Sequence, residues 1–270
     1  MKKIIKNLLE ALGFDVKLQI NRRAKFAHVF ENKLQNSRED DFNWKTYNDH
    51  YQDELLEIEQ TNTLKLKEGD YTFKDGNLSK KNDILPLHTN HRLLYETIIL
   101  LNPKKVIEFG CGGGDHLKNL ILLAPDIGFY GCDRSIEQLN FALQRSPTLT
   151  GKTLEFDITM PLSSKLPKVD VAYTQAVIMH IKTGNGHIVG LANMFKVASK
   201  QIVLMENWTQ HPFLADIQNL FDQGMIPWAK IHFYFRRAPE AGNKPHIMVV
   251  SSEPLDFEPL TSYSQLEDNV

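Results

Sequence analysis

The chain has 270 residues, enough to bury a core of the size that enzymes have. Its composition, 42% hydrophobic and 24% charged, excludes collagen-like, disordered and repeat-fibre proteins. Thirty-one basic and thirty-three acidic side chains leave a net charge of -2, so the chain has no general field that would attract nucleic acid.

The two cysteines, Cys111 and Cys132, are too few for a disulfide scaffold, and no Cys or His residues have zinc-site spacing. We therefore expect free thiols, no metal and a reducing, cytoplasmic compartment. No apolar run approaches the ~20 residues that span a bilayer, and the N-terminus lacks the apolar stretch of a signal peptide.

The first predicted element is a short amphipathic helix. Ile4, Leu8 and Leu12 share one helical face with lysines opposite, and Gly13 follows as a stop. Such an apolar stripe usually packs on its own domain or on the second subunit of a homodimer. Because more basic residues follow, weak contact with a membrane surface is the less favoured alternative.

The segment up to residue 87 predicts a further helix and then a β-ribbon. Residues 30–60 are polar with scattered aromatics, and alternating apolar residues surround turns at Gly69 and Gly76. We expect residues 1–87 to form a region that serves as a lid, as the acceptor side of a site or as a dimer contact.

The pattern changes after a helix that Thr89 is expected to cap and that ends at Asn102, before a proline. From residue 104 to 252, short apolar runs alternate with amphipathic helical stretches, which predicts an α/β fold with a parallel sheet. The last two apolar runs predict an antiparallel pair that closes the sheet. The acidic tail, 253–270, is expected to be loose.

The strongest signal is the segment VIEFGCGGGDH, where a predicted strand leads into Gly110, Gly112 and Gly114 and then into a helix. Glycines there permit a tight turn and let backbone N–H groups approach a ligand at a helix N-terminus. A glycine turn also occurs as plain strand-to-helix geometry. Whether this turn binds a ligand must therefore be judged from the residues that follow it in the chain.

Two carboxylates at the ends of later strands favour a ligand site at the glycine turn. Asp133 ends the next predicted strand, where a carboxylate can accept hydrogen bonds from ribose hydroxyls, and Asp157 ends the third. Carboxyl ends of parallel strands share one edge of a sheet, where ligands bind. The alternative for Asp133 is a cap on the helix that follows at Ser135.

These residues resemble the class I S-adenosylmethionine-dependent methyltransferases, whose motif E-x-G-x-G-x-G begins here at Glu108. The resemblance covers about residues 88–252. It implies a Rossmann-like fold with a mostly parallel seven-stranded sheet, one antiparallel strand and helices on both faces. The cofactor residues that it implies are Glu108, Gly110, Cys111, Gly112, Gly114, Asp133, Arg134, Asp157, Ile158, Thr174 and Gln175.

Two alternatives stay open beside a methyltransferase. A nicotinamide oxidoreductase would carry G-x-G-x-x-G, which fails at Asp115, and that acid would also repel a pyrophosphate. A non-catalytic, methyltransferase-like subunit would bind a partner through its N-terminal helix. The complete glycine motif disfavours this second alternative.

A hydroxyl acceptor benefits from a general base near neutral pH, and histidine is the usual choice. His180, after the fourth strand of the sheet, is the first candidate, and a structural role is its equal alternative. His88 and His91, ahead of the glycine motif, are further candidates, although exposed turn positions are slightly favoured for them. The residues expected to contact a small-molecule acceptor are Arg92, Tyr173, Glu206, Asn207, Trp208 and Arg236.

The sequence also narrows the acceptor. Residues 173–176 read YTQA, which differs from the Asn/Asp-Pro-Pro-aromatic motif of enzymes that methylate adenine or glutamine nitrogen. The N-terminal helix and its lysines are similar to the leaders of methyltransferases from bacterial surface-polysaccharide pathways. This likeness favours O-methylation of a sugar, nucleotide-sugar or phosphorylated intermediate in capsule or polysaccharide biosynthesis.

Overall fold

The computed structural model describes residues 56–81, 83–238 and 246–266. The predicted N-terminal helix and nearly all of the predicted 30–60 helix lie outside these ranges. In the described part of the chain, no helix is long and apolar enough to cross a membrane.

A mixed sheet of eight strands forms the centre of the fold, with a separate two-stranded hairpin beside it. The hairpin strands are β1 (Tyr71–Lys74) and β2 (Asn77–Lys80). The sheet strands are β3 (Lys105–Phe109), β4 (Gly128–Asp133), β5 (Thr153–Glu155), β6 (Val169–Gln175), β7 (Ala198–Met205), β8 (His232–Arg237), β9 (His246–Ser251) and β10 (Glu258–Pro259).

Helices connect most of these strands. They are α1 (Thr89–Leu100), α2 (Asp115–Leu123), α3 (Ile136–Arg145), α4 (Gly186–Val197) and α5 (Phe213–Asp222). Short 3-10 helices occur at Pro147–Leu149, Ile178–His180 and Tyr263–Gln265. Helix α1 begins one residue earlier than expected, because the side chain of His88 rather than that of Thr89 caps it by accepting from the Asn90 N–H.

The sheet order is β10-β8-β9-β7-β6-β3-β4-β5. Strands β5, β4, β3, β6 and β7 are parallel neighbours, whereas β9 runs antiparallel to both β7 and β8. The mostly parallel α/β sheet with an antiparallel closing pair is therefore confirmed. Strand β10 adds an eighth strand, antiparallel to β8.

Both faces of the sheet are buried, as a parallel sheet requires. Alternate residues of β3 enter different cores: Ile107 and Phe109 pack in the core that α4 and α5 cover, and Val106 packs in the core of α1, α2 and α3. The hairpin joins the second core, where the Leu66 N–H donates to Asn119 Oδ1 at 3.0 Å and the Leu78 N–H to Glu96 Oε1 at 2.8 Å.

The described part of the tail differs from the expected loose segment. Leu260 and Leu266 are buried in the core of α4 and α5, and the Leu260 N–H donates to the Phe233 carbonyl at 2.9 Å. The Tyr263 hydroxyl donates to the carbonyls of Trp208 and His211. The tail thus holds the loop between β7 and α5.

Candidate cofactor and acceptor site

The glycine loop joins β3 to α2 with three left-handed residues. Gly110, Gly112 and Gly114 have φ values of +77°, +47° and +75°, which favour glycine. A Cβ on Gly110 would lie 2.4 Å from Val177 Cγ2, and one on Gly114 would lie 2.6 Å from Leu149 Cδ1. Beside Gly112, in contrast, the nearest atom to such a Cβ is Gln138 Oε1 at 3.8 Å, which leaves the loop open there.

The end of β4 holds this loop in place. The N–H groups of Gly110 and Cys111 donate to the Cys132 carbonyl at 2.7 and 3.0 Å, and the Gly112 N–H donates to Asp133 Oδ2 at 2.9 Å. The Ser135 N–H donates to Asp133 Oδ1 at 2.8 Å. Asp133 therefore shapes both the glycine loop and the start of α3.

The Asp133 carboxyl is largely buried. Burial raises its pKa, while the Ser135 and Gly112 N–H groups and the charge of Arg134 act in the opposite direction. A carboxylate has about four acceptor directions, so the backbone N–H groups of Ser135, Gly112 and Arg134 leave capacity for a ligand hydroxyl. The helix-start role and a ligand role are compatible at this residue.

A cavity of about 660 Å³ lies at the carboxyl ends of β4 and β5. This volume is within the usual range for ligand sites. Arg134 and Asp157 line it. Asp157 Oδ1 accepts from the Thr159 N–H at 3.0 Å, and Asn193 Nδ2 donates to the Ile158 carbonyl at 2.7 Å, which fixes the segment after β5.

Glu108 is buried in the sheet opposite Tyr173, its register partner on β6. Burial raises the pKa of Glu108 to about 8; contact with Tyr173 opposes this shift, and the charges of Asp133 and Asp115 add to it. At pH 7 the carboxyl is thus mostly protonated. A cation placed beside it would favour its ionised form.

Asp115, the first residue of α2, forms a bidentate ion pair with Arg145 of α3, at 2.7 and 2.8 Å. Only 9% of the Asp115 side chain and 12% of the Arg145 side chain are exposed. The negative charge is therefore neutralised within the fold. The expectation that Asp115 would repel a pyrophosphate loses its basis.

A cluster of aromatic and histidine rings lies where α1 meets the start of α2. The His91 ring is 5.4 Å from that of His88 and 4.7 Å from that of His116. The Tyr95 hydroxyl lies 2.9 Å from His116 Nδ1, and Asn119 Nδ2 donates to that hydroxyl at 3.1 Å. We call His88, His91, Tyr95 and His116 the histidine cluster.

Burial favours the neutral form of two histidines in this cluster, His116 and His91. It lowers the pKa of His116 to about 4, although the charge of Asp115 and the Gln175 side chain act against the shift. It lowers the pKa of His91 as well, with smaller contributions from His116 and His88. His91 is 8% exposed, and its Nδ1 atom is enclosed without a hydrogen-bond partner in the described part of the chain.

The loop after β6 turns sharply at Ala176, which has a φ of +52°. Thr174, the next-to-last residue of β6, is fully buried, and the side chain of Gln175, the last residue of β6, contacts His116. His180 ends the 3-10 helix of this loop and is half-buried; burial and the charge of Lys182 lower its pKa. The loop thus brings cofactor candidates from β6 to the histidine cluster.

Other predicted acceptor residues are engaged within the fold. The Glu206 carboxylate accepts N–H bonds from the loop after β6. Trp208 is 7% exposed and packs edge-on against Phe213. Asn207 Oδ1 accepts from the Thr209 N–H at 3.1 Å.

Two arginines that were predicted to contact the acceptor, Arg236 and Arg92, lie on or next to α1. Arg236 Nη1 donates to Thr97 Oγ1 at 2.8 Å, and its guanidinium lies over the Phe257 ring. Burial lowers the pKa of Arg236, and the negative charge of Glu96 opposes this shift. Arg92 is partly buried in the first turn of α1, one residue after His91.

Cys111 and Cys132 are free thiols on neighbouring segments, and both are buried. Burial raises the pKa of each thiol. Among the residues that the structure describes, no group of three or more His, Cys, Asp or Glu side chains is placed to hold a metal ion.

The residues around the glycine loop fit S-adenosylmethionine. The open side at Gly112, the cavity at Asp157 and the buried Glu108 supply a backbone cradle, a space for a ring and a carboxyl responsive to a cation. The fold and this edge of the sheet define a class of protein, the S-adenosylmethionine-dependent methyltransferases.

Residues 101–239, more than half of the chain, match the protein family described as "Methyltransferase domain". The chain belongs to this family: it is a methyltransferase, a one-carbon transferase that uses S-adenosylmethionine. The nicotinamide and non-catalytic alternatives are set aside on this match. A search of curated proteins found no match.

Several solved methyltransferase structures are similar to part of this chain. The methyltransferase domain of bacterial CtHen1-CN is 18% identical, with a TM-score of 0.48, over 61% of this chain and 99% of its own. CalS10, an amino pentose methyltransferase from Micromonospora echinaspora, is 12% identical, with a TM-score of 0.48, over 62% and 91%. The magnesium protoporphyrin IX methyltransferase from Synechocystis PCC 6803 is 16% identical, with a TM-score of 0.44, over 60% and 77%.

Proposed function

We propose that this methyltransferase acts on a hydroxyl oxygen of a small polar acceptor, and that the acceptor binds beside the histidine cluster. The observation that carries this proposal is His91, a buried imidazole whose Nδ1 has no hydrogen-bond partner among the residues that the structure describes. A buried polar atom without a hydrogen bond costs about 1–3 kcal/mol, so an occupant that bonds there is favoured.

The cofactor side of the proposal uses the glycine loop and the two carboxylates. Gly110 to Gly114 would lie along the methionyl part of S-adenosylmethionine, and Asp133 would accept from the ribose hydroxyls. Asp157 and Ile158 would contact the adenine. When bound, S-adenosylmethionine supplies a methyl group on a positively charged sulfur, which leaves as a neutral thioether.

The remaining cofactor candidates surround these groups. Glu108 would respond to the cationic end of the cofactor, and Arg134 would line the adenine cavity. Cys111 would contribute its backbone to the loop, and Thr174 and Gln175 would border the cofactor at the end of β6.

A hydroxyl acceptor must lose its proton as the new carbon–oxygen bond forms. Burial lowers the pKa of His91, which keeps its imidazole neutral but also makes it a weaker base. It can take the acceptor proton as the methyl group is transferred, because the hydroxyl becomes strongly acidic once the new carbon–oxygen bond forms. His180 and His88 remain the other base candidates. His91 is favoured because it alone of the three combines an enclosed, unpartnered nitrogen with contact to His116, next to the glycine loop.

The acceptor class that we propose is a sugar, a nucleotide-sugar or a phosphorylated intermediate of a surface-glycan pathway. Its support is the sequence likeness of the N-terminal segment and the polar, histidine-lined edge of the site. We further propose that residues 1–87 cover the acceptor side, since the described hairpin packs on α1 and α2. Arg92 extends from the same turn of α1 and would contact an acidic group of the acceptor.

The acceptor can be sought by incubating the protein with trideuteromethyl-labelled S-adenosylmethionine and pools of sugars, nucleotide-sugars and sugar phosphates. Mass spectrometry detects labelled products, and NMR of each product identifies the methylated atom. We expect a methyl ether. Labelled products that carry the methyl group only on nitrogen or carbon would contradict O-methylation.

Substitution of His91 tests the proposed base. His91→Gln should lower turnover by ~10²-fold or more, because the acceptor proton loses its recipient. Its affinity for S-adenosylhomocysteine, measured by calorimetry, should stay within about twofold, since the ring is assigned to the acceptor. His88→Gln tests the other base candidate beside α1, and its turnover should stay near normal if His91 is the base. A comparable loss in His180→Gln, with near-normal turnover in His91→Gln, would move the role of base to His180.

A further inference from the structure

Glu206, directly after β7, is buried and 8% exposed, yet it has no ion-pair partner among the described residues. Its carboxylate instead accepts backbone N–H bonds from three successive residues. Val177 donates to Oε2 at 3.1 Å, Ile178 to Oε1 at 3.3 Å and Met179 to Oε2 at 3.0 Å. A buried carboxylate is thus satisfied by one loop.

This loop is the one that covers the glycine motif. Val177 packs so tightly over Gly110 that a Cβ at the glycine would lie 2.4 Å from Val177 Cγ2. Just before it, Ala176 has a φ of +52°, a conformation that a non-glycine residue adopts only at an energetic cost. Burial raises the pKa of the Glu206 carboxyl, whereas the Thr174 side chain and the loop N–H groups lower it by favouring the ionised form. Hydrogen bonds to an ionised carboxylate are about twice as strong as neutral ones, so the bonds to Glu206 offset the cost of the Ala176 backbone.

We propose that Glu206 is a positioning residue for the cofactor site: its carboxylate holds residues 176–179 in the conformation that seats Val177 on the first glycine of the loop. The inference rests on the cofactor role of the glycine loop. It gives Glu206 a function other than acceptor binding. The carboxylate acts through Val177 and does not itself touch the ligand.

The substitution Glu206→Gln keeps the size of the side chain and removes one of the two oxygens that accept the N–H bonds of residues 177–179. An amide has one oxygen, so its NH₂ group would face N–H donors of the loop. We expect affinity for S-adenosylhomocysteine, measured by calorimetry, to fall at least tenfold. Amide hydrogen exchange at residues 177–179 should accelerate in the same variant.

Asp170→Asn is the matched control, because the Asp170 carboxylate also holds two backbone N–H groups. It accepts from Lys104 and Lys105 at 2.7 and 3.0 Å, but at the opposite edge of the sheet, where β3 and β6 begin. It should lower the melting temperature and leave affinity within twofold. Glu206→Asp, which keeps the charge and shortens the reach, should bind more weakly than the wild type.

The outcomes separate two failures. If the wild type binds S-adenosylhomocysteine and both Glu206 variants bind it equally well, with lower melting temperatures alone, Glu206 is merely structural and the inference is wrong. If the wild type does not bind, the cofactor role of the glycine loop fails instead. Should Glu206→Gln not fold, Glu206→Asp decides the question.

Discussion

Asp133 joins the glycine loop to the start of α3 and is also the proposed ribose ligand. Asp133→Asn keeps the shape but leaves one carbonyl oxygen for the Gly112 N–H, the Ser135 N–H and the ligand. We expect at least a tenfold weaker affinity for S-adenosylhomocysteine, because charge-assisted bonds are lost. Calorimetry with a folding check by circular dichroism measures this, and unchanged affinity in a folded variant would refute the assignment.

Residues in the glycine motif were predictable because they are adjacent in the sequence and conformationally special. His116 was within the quoted motif, yet nothing local indicated that Tyr95 would bond to its Nδ1 or that His91 would lie 4.7 Å away. The hydrogen bonds that Glu206 accepts also come from residues 27 to 29 positions away in the chain. Such partners follow from tertiary packing, which a local pattern does not contain.

At the scale of elements, the turn from the glycine loop into α2 depends on Gly114. Gly114 and Gly151 have nearly equal φ values, +75° and +74°, but a Cβ meets Leu149 Cδ1 at 2.6 Å only in the first case. Both Ala variants should lose about 1–2 kcal/mol of unfolding free energy from the left-handed backbone. Gly114→Ala should lose about 1–3 kcal/mol more from overpacking against α3 and Leu149.

Urea unfolding of the two variants without ligand measures this difference. Equal losses would show that packing between the glycine loop and α3 contributes nothing beyond the backbone term.

The strands and helices from 104 to 252 follow the sequence prediction because their apolar periods are clear and their ends carry Gly, Pro or capping residues. Strand β10 was missed, since Glu258 and Pro259 have no apolar pattern and pair only because β8 offers them an edge. The cap of α1 was misplaced by one residue because a His side chain, which is not a common cap, accepts from Asn90.

At the scale of the molecule, one sheet separates two cores and brings the candidate site residues to a single edge. The glycine loop, Asp133, Asp157 and the loop after β6 all follow the carboxyl ends of parallel strands, where open α/β sheets bind ligands. The packed tail and hairpin extend the two cores beyond the seven-stranded sheet that the resemblance implies. Neither extension could be predicted from the cofactor motif.

The most direct test of this account is calorimetric titration of the purified protein with S-adenosylhomocysteine, followed by NADH as the control ligand. We predict binding of S-adenosylhomocysteine in the micromolar range and no binding of NADH, because the carboxylates and open glycine loop suit a nucleoside with an amino-acid end. Binding of NADH alone, or of neither ligand by a folded protein, would contradict the assignment of this edge of the sheet as a methyl-donor site.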